Sequence, residues 1–200
     1  MTKKTALAAL LAALILLAGT ALADVTAHSV GEMEKIACEP RQRLAFRTGP
    51  GTKYTDIFSL DPKRIWSLSI YQMEAGGTVD WGMLEFKCYR GLYRAYTGMH
   101  YLEVEGDVEY GNQDPVRCYI GDTPVECFAG PGEEYVKYDF MVPEWTDLQV
   151  YHEENGYVMA DFVMPDAKPQ PFDAAQQMIT RAWIHIYDLE GYASGEAQAE

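Results

Sequence analysis

Apolar and polar residues alternate with a period of two along much of this chain, the pattern of strands with one face buried. In Trp66-Ser67-Leu68-Ser69-Ile70-Tyr71, Leu68 and Ile70 project to one side with polar residues between them. Leu148 and Val150 do the same in Thr146-Asp147-Leu148-Gln149-Val150-Tyr151. Two further runs, Trp81 to Phe86 and Tyr157 to Phe162, are aromatic-led strands that follow the turn signals Gly76-Gly77 and Asn155-Gly156. Arg94-Ala95-Tyr96 to Leu102 closes the first series, and Arg181-Ala182-Trp183 to Leu189 closes the second. Turn residues punctuate these strands about every 8 to 12 residues and helical periodicity is scarce, so the pattern predicts an all-β chain.

The strands recur in one order because the chain is an internal repeat. Gly49-Pro50-Gly51-Thr52-Lys53-Tyr54 returns 81 residues later as Gly130-Pro131-Gly132-Glu133-Glu134-Tyr135, and Pro62 is matched by Pro143. Proline fixes φ at the second turn position and glycine accepts φ > 0 at the third, so each Gly-Pro-Gly is read as a type II turn. Two small barrels in tandem are expected, over residues 33–103 and 115–190. Residues 104–114 form an acidic linker between them. Residues 166–177 are an insertion in the second copy only, and 191–200 a small, acidic, disordered tail.

These stations resemble the bacterial SH3-like domains of exported and cell-wall proteins. That family's pattern looks like R-x-G-P-G-x-x-Y, P-x-G-x-x-V-x-V, N-G-W-x-K-V and G-W-V-x-x-x-Y-L. Arg47 to Tyr54, Leu68 to Tyr71, Trp81 to Phe86 and Arg94 to Leu102 match in order. Phe128 to Tyr135, Leu148 to Tyr151, Asn155 to Phe162 and Arg181 to Leu189 match again. The resemblance implies SH3-like barrels and a groove beside each Gly-Pro-Gly turn that takes peptidoglycan peptide or glycopeptide. By position its lining is Tyr54, Tyr71 and Trp81 in the first copy and Tyr135, Tyr151 and Tyr157 in the second. Ala95 and Ala182 stand where the family usually has glycine, and Phe128-Ala129 replaces the Arg-Ser or Arg-Thr before the second turn.

Residues 1–23 have the form of a cleaved signal peptide, with Lys3 and Lys4, an apolar run from Ala6 to Ala18, and Ala21-Leu22-Ala23 before Asp24. Its removal takes the net charge from −14 to −16. Charge of that sign disfavours nucleic acid and anionic membrane surfaces as partners. The resemblance and the signal peptide together imply a cell-wall peptide or glycopeptide, or another exported protein, as the partner, outside the cytoplasm.

An exported chain with Cys38, Cys88, Cys118 and Cys127 is expected to carry two disulfides, in one of three connectivities. The simplest pairs Cys38 with Cys88 and Cys118 with Cys127. The latter two lie symmetrically about Asp122-Thr123, where a two-residue hairpin would set them face to face. No cysteine–histidine spacing suggests a metal or a thiol nucleophile, and no cofactor loop or catalytic motif is present. Glu133-Glu134 and Glu153-Glu154 are read as solvated surface. The expected function is therefore non-catalytic binding, either of wall peptide or as a protein-interaction module.

Overall fold

A computed structural model describes residues 29–111, 114–164 and 178–193. The signal peptide, the whole insertion and the end of the tail lie outside them. The first copy contains β2 (Ile36–Pro40), β3 (Leu44–Arg47), β4 (Asp56–Leu60), β5 (Ile65–Ala75), β6 (Asp80–Cys88), β7 (Gly91–Gly98) and β8 (Leu102–Val104). The second contains β9 (Val116–Ile120), β10 (Val125–Phe128), β11 (Lys137–Val142), β12 (Asp147–Glu154), β13 (Tyr157–Val163), β14 (Ile179–His185) and β15 (Leu189–Glu190). A short strand, β1 (Ser29–Val30), precedes both. No α-helix occurs among the described residues. Single 3-10 turns, Met99–Tyr101 and Ile186–Asp188, lead into the last strand of each copy.

The two copies build two sheets of the same topology. Their orders are β4-β3-β7-β6-β5-β2-β8 and β11-β10-β14-β13-β12-β9-β15, the same permutation of strands in each. Every strand of the first sheet feeds one core, with Leu44, Phe46, Leu60, Ile70, Leu84 and Phe86 at its centre. Ile120, Val142, Leu148, Val150, Val158 and Ile184 form its counterpart. Alternation sends the odd faces of β6, β7, β13 and β14 away from these cores, yet they are buried too. Tyr71, Met83, Tyr96, Tyr157, Met159 and Trp183 make a third cluster between the sheets.

Pairing across this seam follows an approximate two-fold relation. Tyr54 forms a parallel bridge with Ile179, and Tyr135 one with Leu92. Ser29 and Val30 add in parallel to β12 at His152 and Glu153, while Tyr110 adds to β5 at Met73. Each copy is thus embraced by the segment that precedes the other. The expected linker is for this reason partly structured: Val104 belongs to β8, Val108 packs on the first core, and Met73 donates its N–H to Glu109 O at 2.8 Å.

Turn chemistry holds in part. Asn155 and Gly156 have φ of 53° and 75°, the left-handed pair that a two-residue hairpin requires. At the repeated glycines the hydrogen-bonded turn lies two residues later than expected, with Tyr54 N–H donating to Gly51 O and Tyr135 N–H to Gly132 O, each at 3.2 Å. Gly51 has φ of 131°, whereas Gly132 is not left-handed. Gly49 and Gly130 matter for another reason: a Cβ on either would occupy the ring of Tyr54 or Tyr135, which folds back over its own turn. Gly130→Ala is therefore expected to cost about 1–3 kcal/mol through overpacking, checked by urea unfolding.

The disulfide expectation is overturned. All four cysteines are free and buried. β9 and β10 do not pair with one another, because β9 lies between β12 and β15 while β10 lies between β11 and β14. Cys118 consequently faces Leu148, not Cys127, and Cys38 faces Val104. Burial pushes the Cys38 thiol up to about 11 and the Cys118 and Cys127 thiols up to about 12, which makes them poor nucleophiles. A thiol reagent at neutral pH is expected to leave the native protein unlabelled and to label four cysteines after denaturation.

Candidate functional site

The seam contains two arginine clusters at matching positions of the two copies, with Asp161 in the place of Glu85 and Trp183 in the place of Tyr96. Arg94 projects from β7 and Arg181 from the equivalent position of β14, each on the face of its sheet opposite that sheet's core. Arg181 Nε donates to Asp161 Oδ1 at 2.6 Å, and its Nη1 donates to Glu74 Oε1 of the other copy at 2.6 Å. Arg94 Nη1 and Nη2 donate to both oxygens of Glu154 in the other copy at 2.6 and 2.8 Å, and Nε reaches Glu85 Oε2 at 3.4 Å. Each guanidinium therefore joins a carboxylate on the neighbouring strand to a glutamate across the seam. Such charge-assisted pairs are strong in geometry, and their removal leaves charge stranded in a dry place.

Tyrosines complete both clusters. Tyr54 OH donates to Asp161 Oδ2 at 2.6 Å, Tyr96 OH to Glu74 Oε1 at 2.5 Å, and Tyr71 OH to Glu85 Oε2 at 2.7 Å. Tyr135 OH also donates to Glu85 Oε2. Tyr71 lies 4.1 Å from the Arg94 guanidinium, and Tyr151 lies 4.4 Å from that of Arg181. Burial raises the pKa of Tyr54, Tyr71 and Tyr135, so these hydroxyls remain neutral donors. Burial alone would raise Glu85 as well. Hydrogen bonds from Lys35, Tyr135 and Tyr71, with the Arg94 charge, overcome that and hold it at about 2.

The six residues expected to line grooves are thus placed largely inside the protein. Tyr54 is 2% exposed, and Tyr71, Tyr135 and Tyr157 are buried. Trp81 and Tyr151 are half-buried against the intersheet cluster. The groove beside each Gly-Pro-Gly turn is in large part filled by the other copy. Arg47, which Phe128 replaces in the second copy, braces its own turn by donating to Tyr54 O at 2.7 Å and pairing with Asp56 at 2.9 Å. Glu153 and Glu154, expected on the surface, are buried, whereas Glu133 and Glu134 are exposed.

No family model, curated protein or solved structure matches this chain. The functional reading therefore rests on the geometry of the molecule itself.

Among the described residues a cleft lies beside the first Gly-Pro-Gly turn. It has a volume of about 570 Å³ and lies against β12 and β9, with Lys53 of the first turn at its rim. Arg117, Asp147, Gln149 and Tyr151 line it, and Asp161 reaches it from the seam. Lys53, Arg117 and Asp147 are exposed, so both signs of charge face the same space. A second depression of about 510 Å³ beside the other turn includes Glu133, Tyr157, His185 and Tyr187. Among the described residues no group of three or more His, Cys, Asp or Glu side chains is arranged to hold a metal ion.

Sequence reading missed the six charged residues that organise the seam. A signal for them was present. Glu74 and Glu154 each lie three residues after a matched tyrosine, and Glu85 and Asp161 lie four residues after the matched Trp81 and Tyr157. Charge repeated in register inside otherwise apolar strands marks a position that cannot be ordinary solvated surface.

Proposed function

We propose that this chain is an exported, non-catalytic binding module of the bacterial envelope, built from two SH3-like barrels fixed together as one body. The shared strand order, with a 3-10 turn before each last strand, supports the SH3-like reading. The poorly nucleophilic buried thiols support a role in binding over covalent catalysis.

The observation that carries the ligand is the open cleft at Lys53 and Tyr151. A short wall peptide offers carboxylates, amines and amides close together. Lys53 and Arg117 suit its carboxylates, Asp147 suits an ammonium group, and Tyr151 supplies a ring face. The mature protein is expected to sediment with purified peptidoglycan at moderate salt. Lys53→Glu/Arg117→Glu, which alters exposed residues only, is expected to reduce retention at least tenfold while leaving the circular dichroism unchanged. Equal retention of both proteins would remove this cleft from consideration.

The strongly acidic surface favours a second reading, a docking module for another exported protein. Sedimentation failure combined with specific capture of one envelope protein would move that reading ahead.

A further inference from the structure

The seam is matched between the copies, but the surfaces have diverged, most sharply at the start of β5. There Trp66 is 64% exposed and Tyr89 56% exposed, large values for such rings. They share a shallow depression of about 410 Å³ with Lys63 and Arg64. Strand register adds Lys87, which stands opposite Ser67 and is exposed. Arg90 completes the group. Its Nε donates to Tyr89 OH at 3.0 Å, and its guanidinium lies 4.9 Å from the Phe58 ring centroid.

Four cations and two open aromatic rings thus occupy one end of a molecule whose net charge is −14 over the whole chain. The second copy lacks the arrangement. Counting from Pro143 as from Pro62, it has Glu144 for Lys63 and Trp145 for Arg64, and Val163 stands where Lys87 does. The interior was kept in both copies, and this patch belongs to one.

We propose that Lys63, Arg64, Trp66, Tyr89 and Arg90 form a second binding site, independent of the cleft at Lys53, for a carboxylate-bearing polysaccharide. The charge selects an anionic partner. The rings select among anions, because a flat indole and phenol stack on pyranose faces while flanking cations meet carboxylates at the sugar edge. Arg90, ordered by Phe58 and Tyr89, presents a planar fork suited to carboxylate. The site is open and shallow, as a polymer passing over it requires.

The test is calorimetric titration of the mature protein with three probes: oligogalacturonate, its methyl ester, and poly-glutamate of similar charge. The ester keeps the sugar faces without charge, and poly-glutamate keeps the charge without sugar. Oligogalacturonate is expected to bind at least tenfold more tightly than either. Trp66→Ala/Tyr89→Ala and Lys63→Glu/Arg64→Glu are each expected to weaken it tenfold or more, with Trp145→Ala unchanged. Both variants alter exposed side chains, and their urea midpoints verify folding. Absence of oligogalacturonate binding, equal binding of poly-glutamate, or indifference to both double variants would overturn the proposal. Equal binding of poly-glutamate would identify an acidic protein segment as the partner. Peptidoglycan sedimentation by the Trp66→Ala/Tyr89→Ala protein separates this site from the wall-peptide cleft, whose ligand it leaves in place.

Discussion

Arg181→Met is expected to lower the unfolding free energy by about 3–5 kcal/mol, the cost of removing one partner from a buried ion pair. Asp161 and Glu74 would be left facing one another without a cation, in a region where Arg181 itself is 3% exposed. Arg94→Met is expected to cost less. Its partner Glu85 keeps Lys35, which donates to Glu85 Oε1 at 2.8 Å from the solvent side. Adding Glu74→Gln and Asp161→Asn to Arg181→Met is expected to restore much of the loss, because the triple variant strands no charge. Urea unfolding of the three proteins gives the ranking. Equal, small losses for both arginines would show that the clusters are solvated.

Acid is expected to weaken the protein in a defined window. Glu85 is held at about 2 against an ordinary value of 4.5, and His152 and Arg94 hold Glu154 below its ordinary value against the opposing effect of burial. A carboxyl with a depressed folded pKa contributes stability that is complete above its unfolded pKa and is lost as pH falls toward the folded one. Stability is therefore expected to be level above about pH 5.5 and to fall from about pH 4.5 toward pH 2. From Glu85 the loss is on the order of 3 kcal/mol, at about 1.4 kcal/mol for each pH unit of displacement. Glu85→Gln is expected to be less stable at pH 7 and to show a shallower acid slope. Urea midpoints at pH 7, 4 and 3 measure both, and parallel slopes for the two proteins would contradict the assignment.

Much of the all-β organisation was legible because period-two alternation and turn residues are local signals. Leu68 and Ile70 do face the first core, Leu148 and Val150 the second, and Asn155-Gly156 turns as its chemistry demands. What the alternation conceals is the fate of the other face. Tyr96, Arg94, Trp183 and Arg181 sit between inward residues and look like a polar-aromatic exterior, yet a second sheet covers them. The partner of each lies about 60 to 110 residues away, beyond any local pattern.

The cysteine pairing failed for the same reason. Symmetry about Asp122-Thr123 suggests a hairpin, but the connection crosses between strands on different sides of the sheet, so nearness in sequence is not pairing. Four of the repeated tyrosines, Tyr54, Tyr71, Tyr135 and Tyr151, lie at the seam. Their function was legible only in part, since a ring beside a glycine turn can cover a ligand or a second copy of its own fold. Here Tyr54 and Tyr135 cover the other copy, and the recurrence of Glu74 with Glu154 was the available sign.

The most direct test of the seam between the copies is the coupling energy between Arg181 and Glu74, residues 107 positions apart, from a double-mutant cycle of Arg181→Met and Glu74→Gln in urea. A shared buried contact is expected to give coupling of about 2 kcal/mol. Additive losses, with coupling below about 0.3 kcal/mol, would mean that the two copies do not meet through these arginines.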